Sequence, residues 1–137
     1  MQATYPGETT SAIVILRHEA LPLALQDSIW AKYKLGEMIN VKVGDAPATR
    51  NPYASITGLP ISGLGVAELL KSGVLIGACD VALTIMSSGA ASKMGMDPAA
   101  AKQEWIAGLI PGVQRVPSGV MAVGRAQEHG CAYCFAG

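Results

Sequence analysis

The chain has 137 residues, enough for a single domain. Half of them are hydrophobic, only one is Phe, and 15% are charged, against roughly 25% in an ordinary soluble domain. Ten Lys and Arg balance ten Asp and Glu, and no basic run or aromatic–basic interleaving occurs, which argues against nucleic acid as a partner.

So little charge on a small protein predicts apolar surface covered by another copy of the chain. No apolar run approaches the ~18 residues that cross a bilayer, so no membrane span is expected. The opening Met1-Gln2-Ala3-Thr4-Tyr5-Pro6-Gly7 has neither the basic start nor the apolar stretch of a signal peptide. A cytoplasmic protein is the expectation, and an exported one whose targeting segment is absent from this chain is the alternative. Three cysteines imply no disulfide framework.

Residues 1–11 are polar, rich in turn formers, and read as an arm. Ile13-Val14-Ile15-Leu16 is a strand by its β-branched content, closed by Arg17-His18-Glu19. Pro22 suits a first helical turn, and Leu25, Ile29 and Tyr33 then share one face of a helix that Gly36 would stop. From 37 to 64, Gly44-Asp45, Pro47, Asn51-Pro52, Gly58, Pro60 and Gly63 punctuate the chain too often for regular structure. Only 40–43 reads as a short strand-like piece. A loop of this length serves binding, assembly or a lid more often than simple connection.

A helix over 65–71 leads into an apolar run at 74–78, read as a strand covered on both faces. The next helix begins at Asp80 and ends at Gly95. Asp97-Pro98 restarts with an acidic N-cap and a proline at the first helical position, and that helix runs to about Ile110. A strand over 113–116, a turn at Pro117-Ser118-Gly119 with Ser118 as N-cap, a helix over 119–129 and a final strand over 131–135 complete the chain. The whole forms one domain. Strands alternating with helices predict an α/β fold with a parallel sheet and right-handed crossovers.

Open α/β sheets bind ligands outside the carboxyl ends of their strands. Cys79 falls there, between the strand at 74–78 and the following helix, where a helix N-terminus favours the thiolate that does sulfur chemistry. Asp80 beside it opposes that charge, and free cysteines often simply pack in cores. His18 and Arg17 end the first strand at the same edge, and the N–H groups at Ser118 and Gly119 offer an anion site. The plain alternatives are a structural histidine and an ordinary N-cap. Cys131 and Cys134 form a C-x-x-C, but on a strand they would point to opposite faces, and neither His18 nor His129 completes a zinc set. Neither a P-loop nor a G-x-G-x-x-G appears, and no cofactor is expected.

Three stretches together resemble the DsrE/DsrF-like family of sulfur-relay proteins, on the side of its uncharacterised members. They are Ile13-Val14-Ile15-Leu16-Arg17-His18-Glu19 with its helix, Leu69-Leu70-Lys71-Ser72-Gly73-Val74 leading into 76–83, and Val116-Pro117-Ser118-Gly119-Val120 with Arg125-Ala126-Gln127. The resemblance implies a small flavodoxin-like sheet of about four to five strands and assembly into trimers or hexamers. It also implies a persulfide carried on Cys79 and exchanged with a sulfur donor or acceptor protein. Members of that family begin with a βα unit ahead of the strand aligned with 13–16, so the expectation is that this chain is a truncated form lacking the family's first strand, or that residues 1–11 or a neighbouring subunit supply a substitute for it. The rival reading is a non-catalytic module of the same fold that binds a small molecule or anion, or serves assembly.

Overall fold

A computed structural model describes residues 11–135. The expected arm therefore lies almost wholly outside the described residues. The core of the fold is a three-stranded parallel sheet of β1 (Ile13–Leu16), β4 (Leu75–Cys79) and β5 (Gln114–Val116), in the order β1-β4-β5. The α/β class with a small flavodoxin-like parallel sheet flanked by helices is thus observed. β4 is central because it is the most continuously apolar strand, buried from Ile76 to Cys79. Ile13 pairs with Leu75 and Leu16 with Ala78, while Gly77 faces Gln114 and Cys79 faces Val116. A Cβ on Gly77 would lie 2.9 Å from Ile15 Cδ1 and 3.2 Å from Val116 Cγ1, so the glycine gives the flanking side chains room to close over the strand.

Alternation along the strands gives the sheet two unequal faces. Leu16, Ile76 and Ala78 join the main core with Leu21, Leu25, Trp30, Leu83 and Trp105. Ile13, Ile15, Leu75 and Val116 turn toward the opposite face, which among the described residues carries α6 (Gly119–Glu128). The crowded face is dominated by α4 (Asp80–Met94) packed on α5 (Pro98–Ala107). Asp97 caps α5 as expected, its carboxylate accepting from Ala100 N–H at 2.8 Å. No helix among the described residues is long and apolar enough to cross a membrane.

The single helix expected from Pro22 to Gly36 does not form. A 3-10 turn (His18–Ala24) is followed by α1 (Asp27–Tyr33) and α2 (Leu35–Met38). The break at Leu25 and Gln26 is used for long-range pairing. Gln26 N–H donates to Gly108 O at 2.8 Å, and Ile110 N–H to Ala24 O at 2.8 Å. Carbonyls at the break that a continuous helix would have consumed now need other donors. Trp30 Nε1 donates to Pro22 O at 2.9 Å, and the buried Asn51 Nδ2 donates to Leu23 O at 2.9 Å and Leu25 O at 2.7 Å. Gly36 does not stop a helix. It lies inside α2 with the Ala48 backbone against it, leaving no space for a Cβ.

The 37–64 stretch holds a small hairpin, β2 (Lys42–Val43) and β3 (Ala46–Pro47), turned by Gly44 at φ 63°. Asn51 then ties the stretch to the broken helix, Tyr53 lies near the Trp30 ring, and Leu59, Ile61 and Leu64 remain exposed. α3 (Val66–Lys71) returns the chain to β4. The expected last strand over 131–135 is absent: these residues join no ladder and are exposed. The turn at Gly130, at φ 87°, leads them off α6, and among the described residues the outer edges of β1 and β5 stay unpaired.

Replacing Asn51 with Ala leaves buried carbonyls without donors, at about 1–3 kcal/mol for each group left unpaired. Chemical denaturation should show a large loss of stability. Gly36→Ala should also destabilise, through its clash with Ala48, whereas Gly89→Ala in mid-α4 meets nothing within 4 Å. The Gly89 variant should gain about 0.5–1 kcal/mol.

Candidate functional site

Cys79 closes β4 and stands at the N-cap of α4, with φ −69° and ψ 118°. Its Sγ accepts a hydrogen bond from the backbone N–H of Gly119 at 3.2 Å. Gly119 is the first residue of α6, so the sulfur sits at the amino ends of two helices. Both helices turn the positive ends of their dipoles toward it, a position in which negative charge is well accommodated. The arrangement follows from register. Cys79 pairs with Val116, and the short turn at Pro117 and Ser118 swings the start of α6 over β4 and β1. The sulfur is also enclosed, with Cys79 only 6% exposed.

Arg17 belongs to this cluster. It follows β1 directly, and a Cβ on Gly119 would touch its Cβ and Cδ at 3.3 Å. Gly119 therefore provides both the N–H that reaches Cys79 and the gap that admits the Arg17 stem. Ser118 holds the N-cap position of α6, but its hydroxyl makes no capping hydrogen bond. Its carbonyl accepts instead from Ala122 N–H at 2.9 Å. His18 opens the 3-10 turn at φ 49°, exposed, with no side-chain hydrogen bond to another described residue. The structure thus joins Cys79, Gly119 and Arg17, keeps Ser118 adjacent, and turns His18 to solvent.

Asp80 was the electrostatic objection to Cys79. Its Oδ2 accepts from Lys102 Nζ of α5 at 2.9 Å, and its Oδ1 lies 3.6 Å from Arg115 Nη1 of β5. Two cations thus face the one carboxylate, which leaves its field beside the sulfur largely compensated. Neither partner was visible in the sequence, because α5 and β5 are brought to Asp80 only by the crossover that connects them.

Cys79 lines neither of two concavities that open on the surface of the described residues. One, of about 390 Å³, lies between α1, α2 and the end of α4, with Lys32, Lys34, Glu37 and Lys93 among its walls. The other, of about 260 Å³, lies on the lightly covered sheet face, floored by Ile13, Ile15 and Leu75 and edged by Arg125, His129 and Cys131. Cys131 and Cys134 are free and exposed, as three separate thiols with Cys79. No three His, Cys, Asp or Glu side chains among the described residues converge as a metal site.

A second polar cluster joins α1 to α5. Tyr33 Oη donates to Glu104 Oε2 at 2.8 Å, Lys32 Nζ reaches the same carboxylate at 2.6 and 2.8 Å, and the Tyr33 ring meets Trp105 edge-on at 5.5 Å. Burial first, then the hydrogen bond and charge of Glu104, push the Tyr33 phenol from 10.0 up to about 12. The Lys32 and Tyr33 hydrogen bonds hold Glu104 below its usual range.

The chain is therefore an α/β protein with a cysteine at the carboxyl edge of its central parallel strand. No protein-family model, curated protein or solved structure matches it.

The Tyr33 shift has a defined sign. The fold favours the neutral phenol, so its stabilisation is complete below pH 10.0 and is lost as pH rises toward about 12. In an ultraviolet titration Tyr33 should ionise with a midpoint at about 12. Glu104→Gln should lower its midpoint only part of the way, because burial persists. A midpoint already at the ordinary value in the native protein would contradict the cluster.

Proposed function

We propose that the chain is a DsrE-like sulfur-handling protein that carries sulfane sulfur on Cys79. The observation behind this reading is the Gly119 N–H held at 3.2 Å from the Cys79 sulfur, at the meeting of two helix N-termini. In the loading step the Cys79 thiolate attacks the outer sulfur of a donor persulfide. A new S–S bond forms at Cys79, the donor's S–S bond breaks, and the donor leaves as a thiolate. Attack by an acceptor thiolate on the outer sulfur of the Cys79 persulfide reverses the sequence and regenerates the Cys79 thiolate. Gly119 N–H supports the anionic sulfur at the start and end of each cycle, and Arg17, whose stem packs against Gly119, would supply the nearby positive charge.

Enclosure of Cys79 favours a second reading, in which the cysteine only packs and the domain is a non-catalytic binding or assembly module. In the carrier reading, the donor or acceptor protein gains access where the strand-end edge opens. The surface there suits a partner. Val81 and Val120 lie next to the residues of the Cys79–Gly119 contact, and both are exposed, as are Ile85 and Met121. The same apolar surface supports assembly into trimers or hexamers. Free thiols on a reducing background fit a cytoplasmic setting.

Incubation with a sulfane-sulfur donor, followed by intact mass, tests the reading. Native protein should become heavier by one sulfur atom, and Cys79→Ser should not. Labelling of Cys79 only after denaturation would leave the packing role and remove the carrier. Light scattering should give an oligomer that Ile85→Asp, at an exposed position, weakens without unfolding the chain. A monodisperse monomer would end the assembly proposal.

A further inference from the structure

The C-terminal cysteines stand apart from the Cys79 reading. On a strand their spacing would aim them at opposite faces, but the chain over 131–135 joins no ladder, so that obstacle is gone. Both thiols are free and exposed. Gly130, at φ 87°, turns the chain sharply off α6, and Cys131 N–H is fastened to Ala126 O at 3.0 Å. Beyond that anchor no backbone N–H of residues 132–135 donates to a described residue, and the Cys134 thiol lies 3.8 Å from Phe135 O. The two Cα atoms of an x-x spacing can then approach within the ~4.4–6.8 Å that a disulfide spans.

Position separates this pair from Cys79. α6 starts at the Cys79 sulfur and runs ten residues to Glu128, on the order of 15 Å for a helix of that length. Cys131 consequently lies toward the amino ends of the strands, where it edges the concavity floored by Ile13, Ile15 and Leu75. Cys131 thus borders an apolar depression of about 260 Å³ on the open face of the sheet, with the exposed Cys134 three residues further along the chain.

We propose that Cys131 and Cys134 form a dithiol–disulfide exchange site whose substrate is a peptide disulfide flanked by apolar residues. Cys131, the thiol at the depression, attacks one sulfur of the substrate disulfide as a thiolate. A mixed disulfide forms, and the substrate's first sulfur leaves as a thiolate. Cys134 then attacks Cys131 sulfur, closing the internal disulfide and releasing the second substrate sulfur. Two electrons pass from the cysteine pair to the substrate, and the two thiol protons end on the released thiols.

The reduced full chain is treated with either glutathione disulfide or a peptide disulfide with Leu and Val beside each cysteine, then acid-quenched, alkylated and mapped by mass. With the peptide, wild type should gain an internal Cys131–Cys134 disulfide while Cys79 stays alkylatable. Cys134→Ser should stop at a mixed disulfide on Cys131. The apolar peptide should react several-fold faster than glutathione disulfide, and Leu75→Gln, at a half-exposed position, should erase most of that preference. Independent adducts on both cysteines with no internal disulfide would overturn the exchange site. Equal rates for the two probes, or indifference to Leu75→Gln, would overturn the apolar substrate. A mixed disulfide found on Cys79 instead would move the chemistry to the other end of the sheet. Cys79→Ser separates the two sites, because it should abolish sulfane loading and leave this exchange intact.

Discussion

The amide of Asn51 supplies the hydrogen bonds that the interrupted N-terminal helical segment lacks. A helix that breaks at Leu25 and Gln26 gains two backbone bonds to the α5–β5 connection and loses internal donors for its own carbonyls. Buried carbonyls left bare are costly, so the break is tolerable only with a donor brought from elsewhere. Asn51 supplies it from 24 or more residues away, with its own backbone N–H held by Asp27 and its Oδ1 by the N–H of Tyr53. The polar, turn-rich stretch after α2 is thereby anchored to the core. Trp30 can then lie fully buried between the break and the sheet, its indole N–H also satisfied there.

On that base the sheet is built asymmetrically. The helices between the strands crowd one face, because successive right-handed crossovers across β1-β4-β5 fall on the same side. Among the described residues α6, after the last strand, covers the other. This places Cys79 under the first turn of α6 and leaves the amino ends of the strands open farther along the same helix. One helix therefore separates an enclosed thiol from an exposed pair. It also explains why Gly119 is confined to a small residue: Ile15 and Arg17 occupy the space a side chain would need.

Much of this was legible in the chain itself. The apolar run before Cys79, the Asp97-Pro98 cap and the strand at Ile13–Leu16 are local signals, and each appears where its chemistry requires it. The cysteine at the carboxyl edge of the central strand was also readable, since strand ends can be placed from periodicity and punctuation. The misread segments depended on distant partners. The Pro22–Gly36 pattern carries a good helical face, yet pairing with residues 108–110 outbids continuous helix at Leu25. Residues 131–135 have strand-forming aromatics, but the turn at Gly130 leads them off α6 without joining the ladder. Asp80 looked like an uncompensated charge because Lys102 and Arg115 reach it only across the fold.

The amino-acid sequence by itself determined the class of fold, the placement of Cys79 at the carboxyl end of an apolar strand, and the helix start fixed by Asp97 and Pro98. These depend on side-chain periodicity and on capping chemistry within a few residues. Tertiary structure decided the rest of the site: the Gly119 hydrogen bond to sulfur, the ion pairs around Asp80, the Asn51 anchor, and the release of Cys131 and Cys134 from a sheet. Each of these joins groups remote in sequence or depends on whether a segment joins the ladder, and hydrogen bonds and ion pairs of that kind act only at contact distance.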